Sequence, residues 1–122
     1  MVGMINMHAA VAVFECLSSS VRLDVYKLLV RNAPHGCVAG QIATQLRIPA
    51  TSLSFHLKAM TQASLLIATH EGRYIRYQAN LPLMLKVIDF LTLECCASTA
   101  DNMVGSASDT TSIEQESGAK SW

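Results

Sequence analysis

Apolar residues recur at three- and four-residue intervals at Leu53, Leu57 and Met60, which predicts one buried face of a short helix from Thr51 to Ala63. The same spacing predicts a first helix from Ile5 to Leu17, apolar on much of its circumference. It predicts a second from Val21 to Arg31, with Leu23, Tyr26, Leu29 and Val30 inward, and a third from Val38 to Leu46, with Ile42, Ala43 and Leu46 inward. Ser18-Ser19-Ser20 breaks the first helix and offers a cap to the second. Asn32-Ala33-Pro34-His35-Gly36 is a loop by its Pro and Gly, and Arg47-Ile48-Pro49 is a turn. Leu65 to His70 and Tyr74 to Ala79 read as strands joined by Glu71-Gly72-Arg73, where Gly72 supplies the positive φ of a hairpin turn. Pro82 sits near the first turn of a last helix that reaches about Cys96, a place where Pro is tolerated.

Helices three and four, separated by a short turn, have helix-turn-helix dimensions. With the hairpin they predict a mainly α fold carrying a two-stranded β wing, a winged helix-turn-helix. The chain is short enough for one domain, and 51% of its 122 residues are hydrophobic. Much of that apolar content lies in the first and last helices, more than one small domain can hide. A homodimer joined through these helices is therefore expected. From Ala97 to Trp122 the composition turns polar, with too few apolar residues to offset the cost of ordering. The expected organisation is a folded domain over 1–97 and a flexible tail over 98–122.

The outer face of the fourth helix carries Thr51, Ser52, Ser54, His56 and Lys58 and no carboxylate, a face that a phosphate-lined groove tolerates. Net charge is zero but unevenly placed. Residues 1–96 hold eight Lys/Arg and five Asp/Glu, giving +3; residues 97–122 hold one Lys and four acids, giving −3. No stretch is apolar for the ~18 residues of a membrane span. The first residues carry neither a basic run nor a cleavage site, so a cytoplasmic location is expected. Four cysteines in such a chain point to thiols rather than structural disulfides. There is no Cys-x-x-Cys and no Gly-rich phosphate loop, so neither an enzyme nor a catalytic cofactor is expected.

The pattern resembles the ArsR/SmtB family of winged-helix metalloregulatory repressors. The matching residues are Leu17-Ser-Ser-Ser-Val-Arg-Leu23 with Leu28-Leu29, Gln41-Ile-Ala43 with Leu46, Ser54-Phe-His-Leu57, Ala63-Ser-Leu-Leu66 and Glu71-Gly-Arg-Tyr74. Ser64 stands where the family usually has Gly, and Ser20 where it usually has Pro. The resemblance implies a homodimer that places two fourth helices in successive major grooves of a pseudo-palindromic operator, with the wing on the flanking backbone. It assigns Thr51, Ser52, Ser54 and His56 to base edges or nearby phosphates, and Lys58, Arg73 and Arg76 to the backbone. Ser and Thr at a helix start also serve as plain caps, and His56 can equally bond within its own domain.

The family's Cys-x-Cys site on the third helix corresponds here to Cys37-Val38-Ala39, so its second thiol is missing. The last helix has Asp89 and Glu94 but no His, which disfavours zinc-like ions. What remains is the adjacent pair Cys95 and Cys96, whose thiolates suit soft, thiophilic ions. The arsenic-responsive branch of the family carries such a pair with a third Cys six residues on, and here that position is Asn102. Inorganic arsenite or antimonite would need a third thiol, from Cys16, Cys37 or a small cellular thiol. An organoarsenical needs only two. The expected function is a repressor released from its operator by trivalent arsenic or antimony at Cys95 and Cys96. The alternative is the same repressor sensing oxidant or sulfide through its thiols.

Overall fold

The computed structural model describes residues 5–93. Residues up to Ile88 form one compact unit, and of the unit that follows the described residues 89–93 are helical. The expected boundary at residue 97, the tail beyond it and the Cys95-Cys96 pair all lie outside the described residues.

The elements follow in the order α1 (Met7–Leu17), α2 (Ser20–Arg31), β1 (Cys37–Val38), α3 (Ala39–Leu46), α4 (Ala50–Gln62), β2 (Leu66–Glu71) and β3 (Tyr74–Ala79). Residues 81–93 are helical and are designated α5. Asn6 opens α1, its Oδ1 accepting from the Ala9 N–H at 2.7 Å, so α1 starts two residues later than expected. Ser19 is the cap of α2, its Oγ accepting from the Arg22 N–H at 3.3 Å. Asn80 caps α5 through Oδ1 to the Leu83 N–H, and its Nδ2 donates to the Ser64 carbonyl at 2.8 Å. Each cap satisfies helix-end groups that would otherwise lack a partner.

Val13, Val25, Leu29, Ile42, Leu53, Met60, Leu65 and Val87 are fully buried, so all five helices contribute to one core. The inward face of α4 falls as its spacing predicts, on Leu53, Leu57 and Met60; of the residues expected inward in α3, Ile42 is buried and Ala43 and Leu46 are half-buried. In α2 the expectation is corrected. Val25, Tyr26, Leu28 and Leu29 are buried, whereas Leu23 and Val30 are exposed. α2 is apolar over more than half its circumference, and that periodicity does not say which arc faces inward. Both end helices keep apolar surface outside: Met7, Val11 and Phe14 at one-turn intervals along α1, and Leu81, Leu85 and Ile88 on α5.

The expected two-stranded hairpin is present, and a short third strand joins it in an antiparallel sheet ordered β1-β3-β2. β2 and β3 pair from Leu66↔Ala79 to Glu71↔Tyr74, and Gly72, at φ 65°, turns the hairpin. β1 pairs Cys37↔Tyr77 and Val38↔Arg76, so Cys37 sits in a strand rather than at a helix start. Two residues are too few to show an alternation, which is why the sequence pattern hides β1. The loop before β1 is held to β3 by Gln78, whose Nε2 donates to the Pro34 carbonyl at 2.7 Å.

Candidate nucleic-acid interface

α3 and α4 are joined by a turn that Arg47 makes possible. Its φ of 55° is left-handed, and the N–H groups of Arg47 and Ile48 both return to the Ala43 carbonyl. Pro49 then starts α4 through its carbonyl, which accepts from the Leu53 N–H at 2.9 Å. No side chain caps α4. Thr51, Ser52 and Ser54 therefore do not serve as caps. All three are exposed, and among the described residues their hydroxyls have no hydrogen-bond partner.

Burial of Leu53, Leu57 and Met60 fixes how α4 is rotated. At about 100° per residue, the stripe opposite them runs through Thr51, Phe55, Lys58 and Gln62, all exposed. Ser54 and Ser52 flank this stripe on opposite sides, while His56 lies beyond Ser52 toward the core. Phe55 is 75% exposed, more than any other large apolar residue in the described chain. The polar chemistry of its neighbours hides it in the sequence, although the helical period locates it opposite the core.

His56 is half-buried and engaged within the domain. Its Nδ1 accepts from Arg22 Nε at 3.1 Å, and a second nitrogen of the same guanidinium donates to the Cys16 carbonyl at 3.4 Å. This bond leaves the imidazole hydrogen on Nε2, the only ring nitrogen free to meet a nucleic acid. Arg22 thus bridges the end of α1, the start of α2 and the recognition surface. Nothing in the sequence marks it, because its two partners lie six and thirty-four positions away.

The cationic residues are not equivalent. Lys58 and Arg73 are exposed and unpaired among the described residues. Arg76 is only partly exposed and already donates to Glu71 Oε2 at 2.9 Å across the hairpin. Its place as a free backbone contact is therefore weakened: an acid on its own wing partly neutralises it. Tyr74 adds an exposed aromatic ring beside Arg73. A cleft of about 320 Å³ is lined by residues of α3, α4 and the wing, among them Ala43, Leu53, Ser54, Leu57, Arg73 and Tyr77.

Cys16 and Cys37 are free thiols and both are buried. Burial pushes both thiols up from their ordinary value, against a smaller opposite pull from Arg22 on Cys16 and from Arg76 on Cys37. Both therefore favour the protonated form, which is a poor metal ligand. Among the described residues no three His, Cys, Asp or Glu side chains gather as a metal ion would require. No described helix is long and apolar enough to cross a membrane.

Residues 17–68 match the helix-turn-helix domain family. No curated protein matches the sequence. Among solved structures, the chain is similar to an ArsR-like transcriptional regulator from Rhodococcus sp. RHA1, at 26% identity and a TM-score of 0.62, covering 88% of this chain and 95% of that one. HlyU from Vibrio cholerae N16961 aligns at 20% identity and a TM-score of 0.56, over 69% of this chain and 91% of its own. A homodimeric winged helix-turn-helix DNA-binding domain from Mycobacterium bovis aligns at 21% identity and a TM-score of 0.57, over 82% and 93%. The fold is a winged helix-turn-helix.

Proposed function

We propose that this winged helix-turn-helix chain, similar to ArsR-like transcriptional regulators, is a homodimeric repressor that binds operator DNA and releases it on meeting a trivalent arsenical. The observation that carries the DNA-binding part is the outer surface of α4. It is exposed and carboxylate-free, its hydroxyls are unengaged, it carries the unpaired cation Lys58, and the wing adds the unpaired Arg73. Phosphate contacts from such cations hold a helix in register while the helix face meets base edges. The apolar stripes left outside on α1 and α5 support a dimer, because contiguous exposed apolar surface marks an interaction site. The winged domain from Mycobacterium bovis is described as a homodimer, which agrees with that reading.

The inducer reading rests on the sequence. Cys95 and Cys96 are adjacent thiols, a donor pair suited to a thiophilic centre. A trivalent arsenical would exchange two As–OH bonds for two As–S bonds there, the thiol protons and hydroxides leaving as water, and favour the dimer geometry that does not fit the operator. Such linkage amounts typically to ~1–3 kcal/mol. Burial of Cys16 and Cys37, which raises both thiols, argues against either as a ready third ligand, so inorganic arsenite would need a small cellular thiol where an organoarsenical needs none. The same burial weighs against a thiol-redox switch that needs them as bridging partners.

A gel shift on the chain's own upstream promoter, with arsenite, methylarsenite, peroxide and polysulfide added in parallel, tests both parts. The expected result is a retarded band abolished by the arsenical. With Cys95→Ser and Cys96→Ser together, the band should persist. Release of the doubly substituted protein by arsenical would refute the site, and the absence of any band for wild type would refute the repressor.

A further inference from the structure

Phe55 occupies the centre of the ridge that α4 turns away from the core. Thr51 stands one turn before it and Lys58 one turn after, and its ring is 75% exposed. A phenylalanine this exposed is out of place on a surface meant only for water, since its apolar area gains nothing there. α4 has few apolar alternatives on that side, because Leu53, Leu57 and Met60 are all committed to the core. In the major groove one base differs from the others in offering an apolar handle: thymine, through its 5-methyl group. Aromatic and small apolar side chains read it by contact rather than by hydrogen bonding. The ring also has only two rotatable side-chain bonds, so seating it costs little conformational entropy.

We propose that Phe55 is a base-reading residue whose ring packs on the 5-methyl group of a thymine in each half-site. This rests on the reading of α4 as the helix that enters the major groove. It differs from that reading in being specific to one side chain and one base. Thr51 and Ser52 would bond neighbouring base edges, and Lys58 would hold the phosphate rail without sequence preference.

The test uses the full-length protein and a duplex that wild type selects from a randomised pool. Each thymine is replaced in turn by deoxyuridine, which removes the methyl group and keeps base pairing. For wild type, one thymine per half-site should show about a fourfold loss of affinity on replacement, the effect of one buried methyl group. With Phe55→Ala the same replacement should have no effect, and with Phe55→Leu a reduced one. Phe55→Ala should also lower affinity for the selected duplex more than for random DNA, whereas Lys58→Ala should lower both alike. Circular dichroism melts should be unchanged, because the ring lies outside the core. The proposal is overturned if no thymine is sensitive, or if Phe55→Ala retains the sensitivity. If wild type selects no DNA, the reading of α4 fails first and the base contact fails with it. A selected duplex without thymine sensitivity removes only the role of Phe55.

Discussion

Replacing glycine by alanine at three positions should give three different results, and one of them should be severe. Gly36 precedes β1 at φ 75°. A Cβ there would press far inside van der Waals contact with the Tyr77 carbonyl and lie 2.9 Å from Gln78 Cγ. The Tyr77 carbonyl is backbone in the central strand of the wing, so it cannot swing away as a side chain could. Left-handed backbone costs an ordinary residue about 1–2 kcal/mol, and forced overpacking about 1–3 kcal/mol more. Reduced freedom of the unfolded chain returns about 0.5–1 kcal/mol. Gly36→Ala should therefore lose roughly 2–4 kcal/mol, against a total stability of about 5–15 kcal/mol for a typical domain. Gly72 has the same left-handed φ with nothing within 4 Å, so Gly72→Ala should lose only about 1 kcal/mol. Gly40 lies near the start of α3 with open space around it, and Gly40→Ala should gain about 0.5–1 kcal/mol. At roughly 4–8 °C per kcal/mol, differential scanning calorimetry resolves all three. If Gly36→Ala melts within about 4 °C of Gly72→Ala, the close approach to Tyr77 does not constrain the wing and the reasoning is wrong.

Salt dependence should rank the cations. Lys58→Ala and Arg73→Ala should each flatten the plot of log affinity against log salt by about 0.9 for every phosphate left without its cation. Arg76→Ala should flatten it less, since Glu71 already engages that guanidinium. An equal slope for all three would remove the distinction. Thiol chemistry should separate the cysteines as well. In the Cys95→Ser, Cys96→Ser protein, Cys16 and Cys37 should resist alkylation at neutral pH until the chain is unfolded, because burial raises both. A raised thiol stabilises the fold below the ordinary value near 9.0, and this contribution is lost as pH rises beyond it. Melting temperatures should fall above that pH, and Cys16→Ala, Cys37→Ala protein should lose part of that fall.

The parts of the fold that the sequence disclosed are those with a period or an obligatory residue. β3 falls where the Glu71-Gly72-Arg73 turn places it, and the core face of α4 follows from three residues at helical spacing. The parts that escaped have neither. β1 is too short to alternate, and α2 is apolar around too wide an arc to reveal that Leu23 and Val30 point outward. At the candidate interface the sequence singles out residues by their polar chemistry. Thr51, Ser52, Ser54, Lys58 and Arg73 are exposed as that choice requires. Polar chemistry alone also points to His56 and Arg76, which have partners inside the domain, and not to Phe55, which projects into solvent. Rotation about the helix axis is set by the core, and only the position opposite the core tells which side chain protrudes furthest.

Ser64 shows how a local departure can be absorbed. It holds φ 66° in the turn between α4 and β2, where the resembling family usually has glycine. Its carbonyl is fixed by Asn80 and its N–H by the Thr61 carbonyl, so two hydrogen bonds keep the strained conformation in place.

The guanidinium of Arg22 has a different consequence. It is a rigid plane with one nitrogen on the last turn of α1 and another on the ring of His56. A planar fork cannot tilt toward one partner without leaving the other. The far end of α1 and the side of α4 therefore behave as the two jaws of one clamp. A shift of either jaw lengthens one of these two hydrogen bonds unless Arg22 moves with it, across a sequence gap that no secondary-structure element spans.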